Sequence, residues 1–237
     1  ELPLLAVASS PRYVDLYHPE SIASQALTLP NLAAMLELSF GISAWKQYDG
    51  TRWALRCNPS SGNLHPTEAY VVIEGCNGID DGVHHYVSHD HVLEQRCRFD
   101  TPSHDNKRLL PPDAFLVGLS SIHWREAWKY GERAFRYCQH DVGHAIAALR
   151  YAAATLGWQV HLLTTWGDEH IGAVLGLDRE ADFGTAEREH PDAMLLVTVG
   201  KAGSSDAAFD TGALVHAAQR GLWRGQANVL SGHHLYA

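Results

Sequence analysis

The run from Arg56 to Glu68 collects, within one bend, the side chains of this chain that could hold a ligand: Arg56, Asn58, Pro59, Ser60, Ser61, Gly62, Asn63, His65, Pro66 and Glu68. A guanidinium can grip an anion with two parallel, charge-assisted hydrogen bonds. Ser60, Ser61 and Asn63 add short donors, and a glycine-containing bend exposes backbone N–H groups at one place. Such a surface suits an anionic, heteroatom-rich ligand such as a flavin nucleotide, and Asn63 could bond the polar pyrimidine edge of an isoalloxazine. Pro59 and Pro66 stiffen the bend and lower the entropy lost when it closes on a ligand. The same residues also make an ordinary turn, and Arg56 could equally ion-pair with Glu68 or Glu74. The elements that must position this bend are a helix-like segment before it and a strand after it, read from Ala69, Tyr70, Val71, Val72 and Ile73.

Further along, Trp128, Lys129, Tyr130, Gly131, Glu132 and Arg133 form a second group, followed by Asp141, Val142, Gly143 and His144. A third group, Val197, Thr198, Val199, Gly200 and Lys201, ends an apolar strand with a cation that could reach an anionic ligand or simply extend into water. His140 and His144 fall four apart on one helical face, and His84, His85, His89 and His91 cluster near a hairpin. No third or fourth ligand can be named for either set, so no metal site is expected despite sixteen histidines.

Taken together and in this order, these segments resemble the nitroreductase superfamily, and within it the SagB/ThcOx-type branch of FMN-dependent azoline oxidases. Arg56 to Glu68 is similar to its Arg-x-x-Pro-Ser-Ala-Gly-x-x-x-Pro-x-Glu signature, Lys129 to Arg133 to its Lys-Tyr-Gly-Glu-Arg segment, and Asp141 to His144 to its Asp-x-Gly-His. Ala152 to Trp158 is similar to its Ala-Ala-x-x-Leu-Gly helix end, and Val197 to Lys201 to its last core strand. The resemblance covers roughly residues 30 to 201. It implies FMN as cofactor, held by Arg56, Pro59, Ser60, Ser61, Gly62, Asn63, Gly157, Gly200 and Lys201. It implies Lys129 and Tyr130 as the catalytic pair: a buried lysine takes a proton while a hydride moves to flavin N5, and the tyrosine shares or orients that proton. Without the resemblance, Lys129 and Tyr130 read equally well as an amphipathic cover of a helix end. Glu132 and Arg133 read as an ion pair bracing the segment; His144 lines the flavin pocket or packs the helix.

Two departures limit the match. The superfamily's Ser-x-Arg near the N-terminus, which helps hold the phosphate, is represented only by Ala23, Ser24, Gln25, Ala26 and Leu27, so Arg12 or Arg52 would have to substitute. Relatives carry asparagine where this chain has Ala148.

The 237 residues suit one domain, and 46% hydrophobic content is enough for a sizeable core. A net charge of −9, without a basic run, speaks against nucleic acid as partner. No apolar run reaches the ~18 residues of a membrane span. The four cysteines make no paired spacing, which suits a reducing, cytoplasmic compartment.

Residues 1–28 read as an extended arm, 29–205 as the FMN-binding domain, and 206–237 as an extension or a linker to a second tandem domain. The chain starts at Glu1 rather than methionine, so a fragment is one reading. The elements predict a helix entered at Pro30 and stopped by Gly41, strands at 69–74, 83–87 and 114–119, and a helix at 141–156 stopped by Gly157. A strand at 158–163, a helix at 168–176 and a strand at 193–199, buried at the sheet centre, follow. This order gives an α+β fold of nitroreductase type: a mixed, mainly antiparallel sheet flanked by helices.

The resulting expectation is an FMN-dependent oxidoreductase acting on a small or peptide-derived substrate, working as a homodimer or tandem pseudo-dimer. The alternatives are an NAD(P)H-dependent nitroreductase or quinone reductase, and a non-catalytic degenerate domain that supports dimerisation.

Overall fold

Pro30 sits in the first turn of α1 (Leu29–Phe40), where its missing N–H breaks no helical bond, and the Thr28 side chain caps that turn by accepting from Asn31 N at 3.4 Å. Leu32, Met35, Leu36 and Phe40 lie on the buried stripe, and Gly41 ends the helix as its position predicts. This computed structural model describes residues 1–5, 11–18, 21–100, 108–200 and 210–228.

The segment read as helix-like before the bend is instead a hairpin of β1 (Ile42–Tyr48) and β2 (Thr51–Arg56). It turns on Asp49 and Gly50, with φ of 45° and 78°, the left-handed pair that a tight two-residue turn requires. Most of both faces is exposed, so the strands carry no alternating apolar code. That is why the pattern misled.

The main sheet has seven strands in the order β7, β8, β6, β3, β4, β5, β9, every neighbouring pair antiparallel. They are β3 (Thr67–Ile73), β4 (Gly82–Val87), β5 (Val92–Arg98), β6 (Ala114–Ser121), β7 (Trp158–Leu162), β8 (His190–Val199) and β9 (Leu222–Trp223). The strand expected at the centre, β8, lies one in from the edge. Its two-sided burial arises because helices cover both faces at that end rather than from a central place.

On one face α1 and the long α3 (Ala134–Thr155) bury Leu36, Val71, Phe115, Val117, Leu149 and Val197. On the other, α4 (Asp168–Leu175) and α6 (Thr211–Arg220) enclose Val72, Leu116, Val174, Leu196, Leu214 and Ala218. Two short helices, α2 (Trp124–Tyr130) and α5 (Glu180–Phe183), complete an α+β fold with an antiparallel sheet flanked by helices. Among the described residues no helix is long and apolar enough to cross a membrane, and all four cysteines are free thiols.

Candidate active site

The bend between β2 and β3 is pinned from three sides. Ser61 donates both its N–H and its hydroxyl to the Asp141 carboxylate of α3, at 2.9 and 3.1 Å. Asn63 donates from Nδ2 to Ala54 O at 2.9 Å and shares Oδ1 with His65 Nε2 at 2.9 Å. Ser60 Oγ accepts from His65 N at 2.8 Å, which leaves its own hydrogen to donate. Gly62, Asn63 and His65 all have positive φ, of 62°, 60° and 51°. Held backbone strain of this kind gathers where the chain is fixed for a purpose. The polar groups of Ser61 and Asn63 thus brace the loop itself, a use that their reading as ligand donors did not include.

Gly62 is where the two predicted groups meet. A Cβ added there would lie 2.8 Å from Lys129 Nζ and closer still to the Tyr130 hydroxyl. Lys129 and Tyr130 reach this position because α2 stops at Gly131 (φ 57°), the chain takes one tight turn, and α3 begins. Lys129 Nζ stands 5.2 Å from the Tyr130 ring centroid, and Tyr130 packs on Tyr137 at 4.5 Å. The lysine was expected to be buried; in this chain it is exposed.

Gly157 and Gly200 lie elsewhere. Both approach the arm at Ser24: Gly157 leaves only 2.8 Å between an added Cβ and Ser24 Cα, and Gly200 leaves 3.8 Å to Ser24 Oγ. Gln25 N–H donates to Leu156 O, and the Trp158 indole N–H donates to Gln25 O at 2.7 Å, so the arm is stitched to the end of α3. Asp141 and Gly157 are separated by about 24 Å along the helix axis at 1.5 Å per residue. The site residues therefore form two groups at different levels of α3. Lys201 lies outside the described residues.

Beside Gly157 opens a cleft of about 590 Å³, lined by Tyr17, Arg150, Tyr151, Trp158 and His161 among others. Arg150 has no ion-pair partner among the described residues, and His161 Nε2 is buried without one. Of the two substitutes considered for the missing arginine, Arg12 is bound to Asp15 at 2.9 Å and Arg52 lies over the Trp45 ring on the hairpin. Neither lines this cleft, whereas Arg150 does, a residue that reads from sequence as a routine solvated position on a helix.

Arg56 turns away from Lys129. It donates to Thr67 O at 3.0 Å and lines a separate cleft of about 510 Å³ with Glu68, Tyr70, His85 and Arg125. Burial lowers its affinity for a proton, partly countered by Glu68. Glu68 is bonded by Arg125 and by His85 Nε2 at 2.9 Å. Burial alone would raise its carboxyl, but the Arg125 cation, the His85 bond and Arg56 outweigh burial and hold it well below the usual carboxylate range. Burial pulls His85 down, yet Glu68 and Glu94 raise it to about 9. Deeper in, Glu189 accepts from Tyr70 Oη at 2.8 Å and Ser120 Oγ at 2.7 Å, and burial with Glu68 nearby pushes it up.

Among the described residues no three His, Cys, Asp or Glu side chains converge as a metal set. His140 and His144 are exposed on α3.

One more residue escaped the sequence reading. Glu126, in α2, is fully buried and neither carboxyl oxygen has a hydrogen-bond partner among the described residues. Burial, then the nearby Asp141, push it up to about 7, with Lys129 acting in the opposite sense. A glutamate three residues before a lysine reads from sequence as a solvated helical pair.

No protein-family profile matches the chain. A Methanocaldococcus jannaschii protein named as a nitroreductase is 24% identical over 183 residues, 75% of this chain and 83% of that protein. The trifolitoxin-processing protein TfxB of Rhizobium leguminosarum bv. trifolii is 32% identical over 133 residues, 51% of this chain. The chain spans about a third of TfxB, 35% of its length. Crystal structures of nitroreductase-type proteins from Ralstonia eutropha and Anabaena variabilis superpose with TM-scores of 0.59 and 0.58, at 18% and 22% identity. They cover 86% and 81% of this chain, and 89% and 37% of theirs respectively. The Escherichia coli microcin synthetase McbBCD, solved with truncated pro-MccB17 bound, superposes at 0.57 with 20% identity, over 76% of this chain and 66% of that one.

Proposed function

From the similarity of the chain to nitroreductase-type proteins in sequence and fold, we propose that it is an FMN-dependent oxidoreductase of the nitroreductase superfamily, of the SagB/ThcOx type, acting on a small or peptide-derived substrate. The observation that carries this reading is the convergence of Lys129 Nζ and the Tyr130 hydroxyl on Gly62, inside a loop pinned by Asp141. A cation and a phenol held against the loop backbone put a proton acceptor and a hydrogen-bonding partner at one place.

Two features are compatible with a flavin nucleotide. Gly62 lets the Lys129 ammonium and the Tyr130 hydroxyl lie against the loop, where any Cβ would collide with them, and Arg150 offers a guanidinium for an anionic group in a roomy cleft. Bound flavin would supply the hydride-accepting N5. The chain's own part is to orient the substrate on the loop and to take its proton on Lys129 Nζ, with Tyr130 sharing a hydrogen bond.

The two levels of site residues along α3 support a homodimer or tandem pseudo-dimer in which one site draws on two copies. The solvent-facing side of α3, with Phe135, His140, His144 and Tyr151, is available for it. A peptide-derived substrate is favoured by the peptide-processing relatives, TfxB and the McbBCD complex. Four free thiols suit a cytoplasmic setting.

The first test is the absorbance spectrum of freshly purified protein. Bands near ~450 nm with FMN released on denaturation support the reading; a colourless protein that refuses added FMN defeats it. In the flavin-loaded protein, Lys129→Ala is expected to lower kcat by about 10²–10⁴ with flavin retained. Unchanged turnover in that variant would remove the base assignment.

The second reading, a non-catalytic domain that supports dimerisation, draws on the missing Ser-x-Arg arginine and the exposure of Lys129. A colourless chain that still dimerises would favour it.

A further inference from the structure

An ionisable group that is fully buried and unbonded is expensive to keep, because nothing replaces the water it lost. Glu126 is such a group: no exposed surface, and no partner on either oxygen among the described residues. Asp141, the nearest acid, is itself engaged by Ser61 N–H and Oγ. Cys138, facing the same space from α3, is pushed up by burial and then by Glu126, Asp192 and Asp141. The cation that acts on Glu126 is Lys129, one turn along its own helix. That lysine is the one whose Nζ stands over Gly62. A purely structural position here would be filled better by glutamine or leucine.

We propose that Glu126 is a positioning residue for Lys129: by holding a proton or giving it up, it decides whether Lys129 has a counter-charge beneath it. The inference rests on the reading of Lys129 as the base. With Glu126 ionised, the ammonium formed when Nζ takes a substrate proton is balanced; the hydride that a bound flavin would accept leaves from the adjacent atom, and the bond between the two becomes double. With Glu126 neutral, that ammonium loses this counter-charge, and Asp141 is already engaged by the loop. Turnover therefore rises with pH as Glu126 ionises near pH 7.

The coupling can be read without turnover. The chain has four lysines, at 46, 107, 129 and 201, so ¹³C-dimethylation gives few resonances, and Lys129→Arg identifies the one of interest. The expected result is an inflection of the Lys129 methyl signal near pH 7, lost in Glu126→Gln and kept with a displaced midpoint in Glu126→Asp. A signal that shows no such inflection, or one that persists in Glu126→Gln, overturns the proposal. In flavin-loaded protein, Glu126→Gln should lose the rise of kcat between pH 6 and 8 and run about tenfold slower at pH 8. An unchanged pH profile there also overturns it. Refusal of FMN by the unsubstituted protein would instead sink the functional reading, while the methyl titration still reports on the coupling itself.

Discussion

Glu68 and Glu126 are both buried glutamates, yet the fold treats them in opposite ways. Around Glu68 every charge has an answer: Arg125 and His85 bond it, Arg56 lies close, and neighbouring Glu189 is capped by Tyr70 and Ser120. Around Glu126 there is a second acid and, among the described residues, no bond at all. The first arrangement ties together the ends of β3, β4 and β6; the second leaves an unbonded carboxyl on the helix that carries Lys129. Buried charge is thus scaffold where it is saturated and a candidate for chemistry where it is left open.

The comparison breaks most sharply at Arg125. Arg125→Ala leaves Glu68 buried with His85 as its remaining bonded partner, and a cost of about 3–5 kcal/mol in chemical denaturation is expected. A loss below about 1 kcal/mol would mean that the network is no scaffold.

The pH dependence of stability separates the two acids next. Glu126 binds its proton more tightly folded than unfolded, so its contribution favours the folded state below the ordinary carboxylate range and is lost as pH rises towards about 7. Glu126→Gln should flatten that decline, which amounts to about 2–3 kcal/mol between pH 4.5 and 8. Glu68 runs the other way: its stabilisation is present above the ordinary carboxylate range and disappears in acid. Denaturation midpoints across pH 4–8 in wild type and Glu126→Gln decide the matter; parallel curves would defeat it.

The smallest expected effect is at Arg150. Arg150→Ala should leave stability within about 0.5 kcal/mol but weaken FMN about tenfold relative to riboflavin, which lacks the phosphate. Equal weakening of both ligands, in a fluorescence titration, would deny Arg150 an anion-holding role.

Local signals explain which parts of this molecule could be read in advance. Pro30 and Gly41 bracket α1 because their backbone chemistry has few other uses, and Gly157 stops α3 at the expected residue. The β3–β4 hairpin follows from an apolar run, a turn and a second apolar run. The β1–β2 hairpin was lost because its exposed faces carry no period, although Asp49 and Gly50 spelled its turn. The loop at Ser60 to Asn63 and the Lys129–Tyr130 pair were visible as residue types, and the structure brings them to one glycine. Glu126 was invisible. Its burial is set by α2 folding back on α3, a tertiary event with no trace in a segment of Trp, Arg, Glu and Lys.

The order in which the sheet can be assembled follows from its outermost strand. Cys97 pairs with Trp223 across about 125 residues of chain, so β9 must wait for most of the molecule before it has an edge to join. With only two residues to zip, it is also the strand that lets go first. Trp223 rests its ring on Gly176 and gives its indole N–H to Ala218 O, which makes that tryptophan a built-in clock hand: its emission should change early in unfolding and late in refolding.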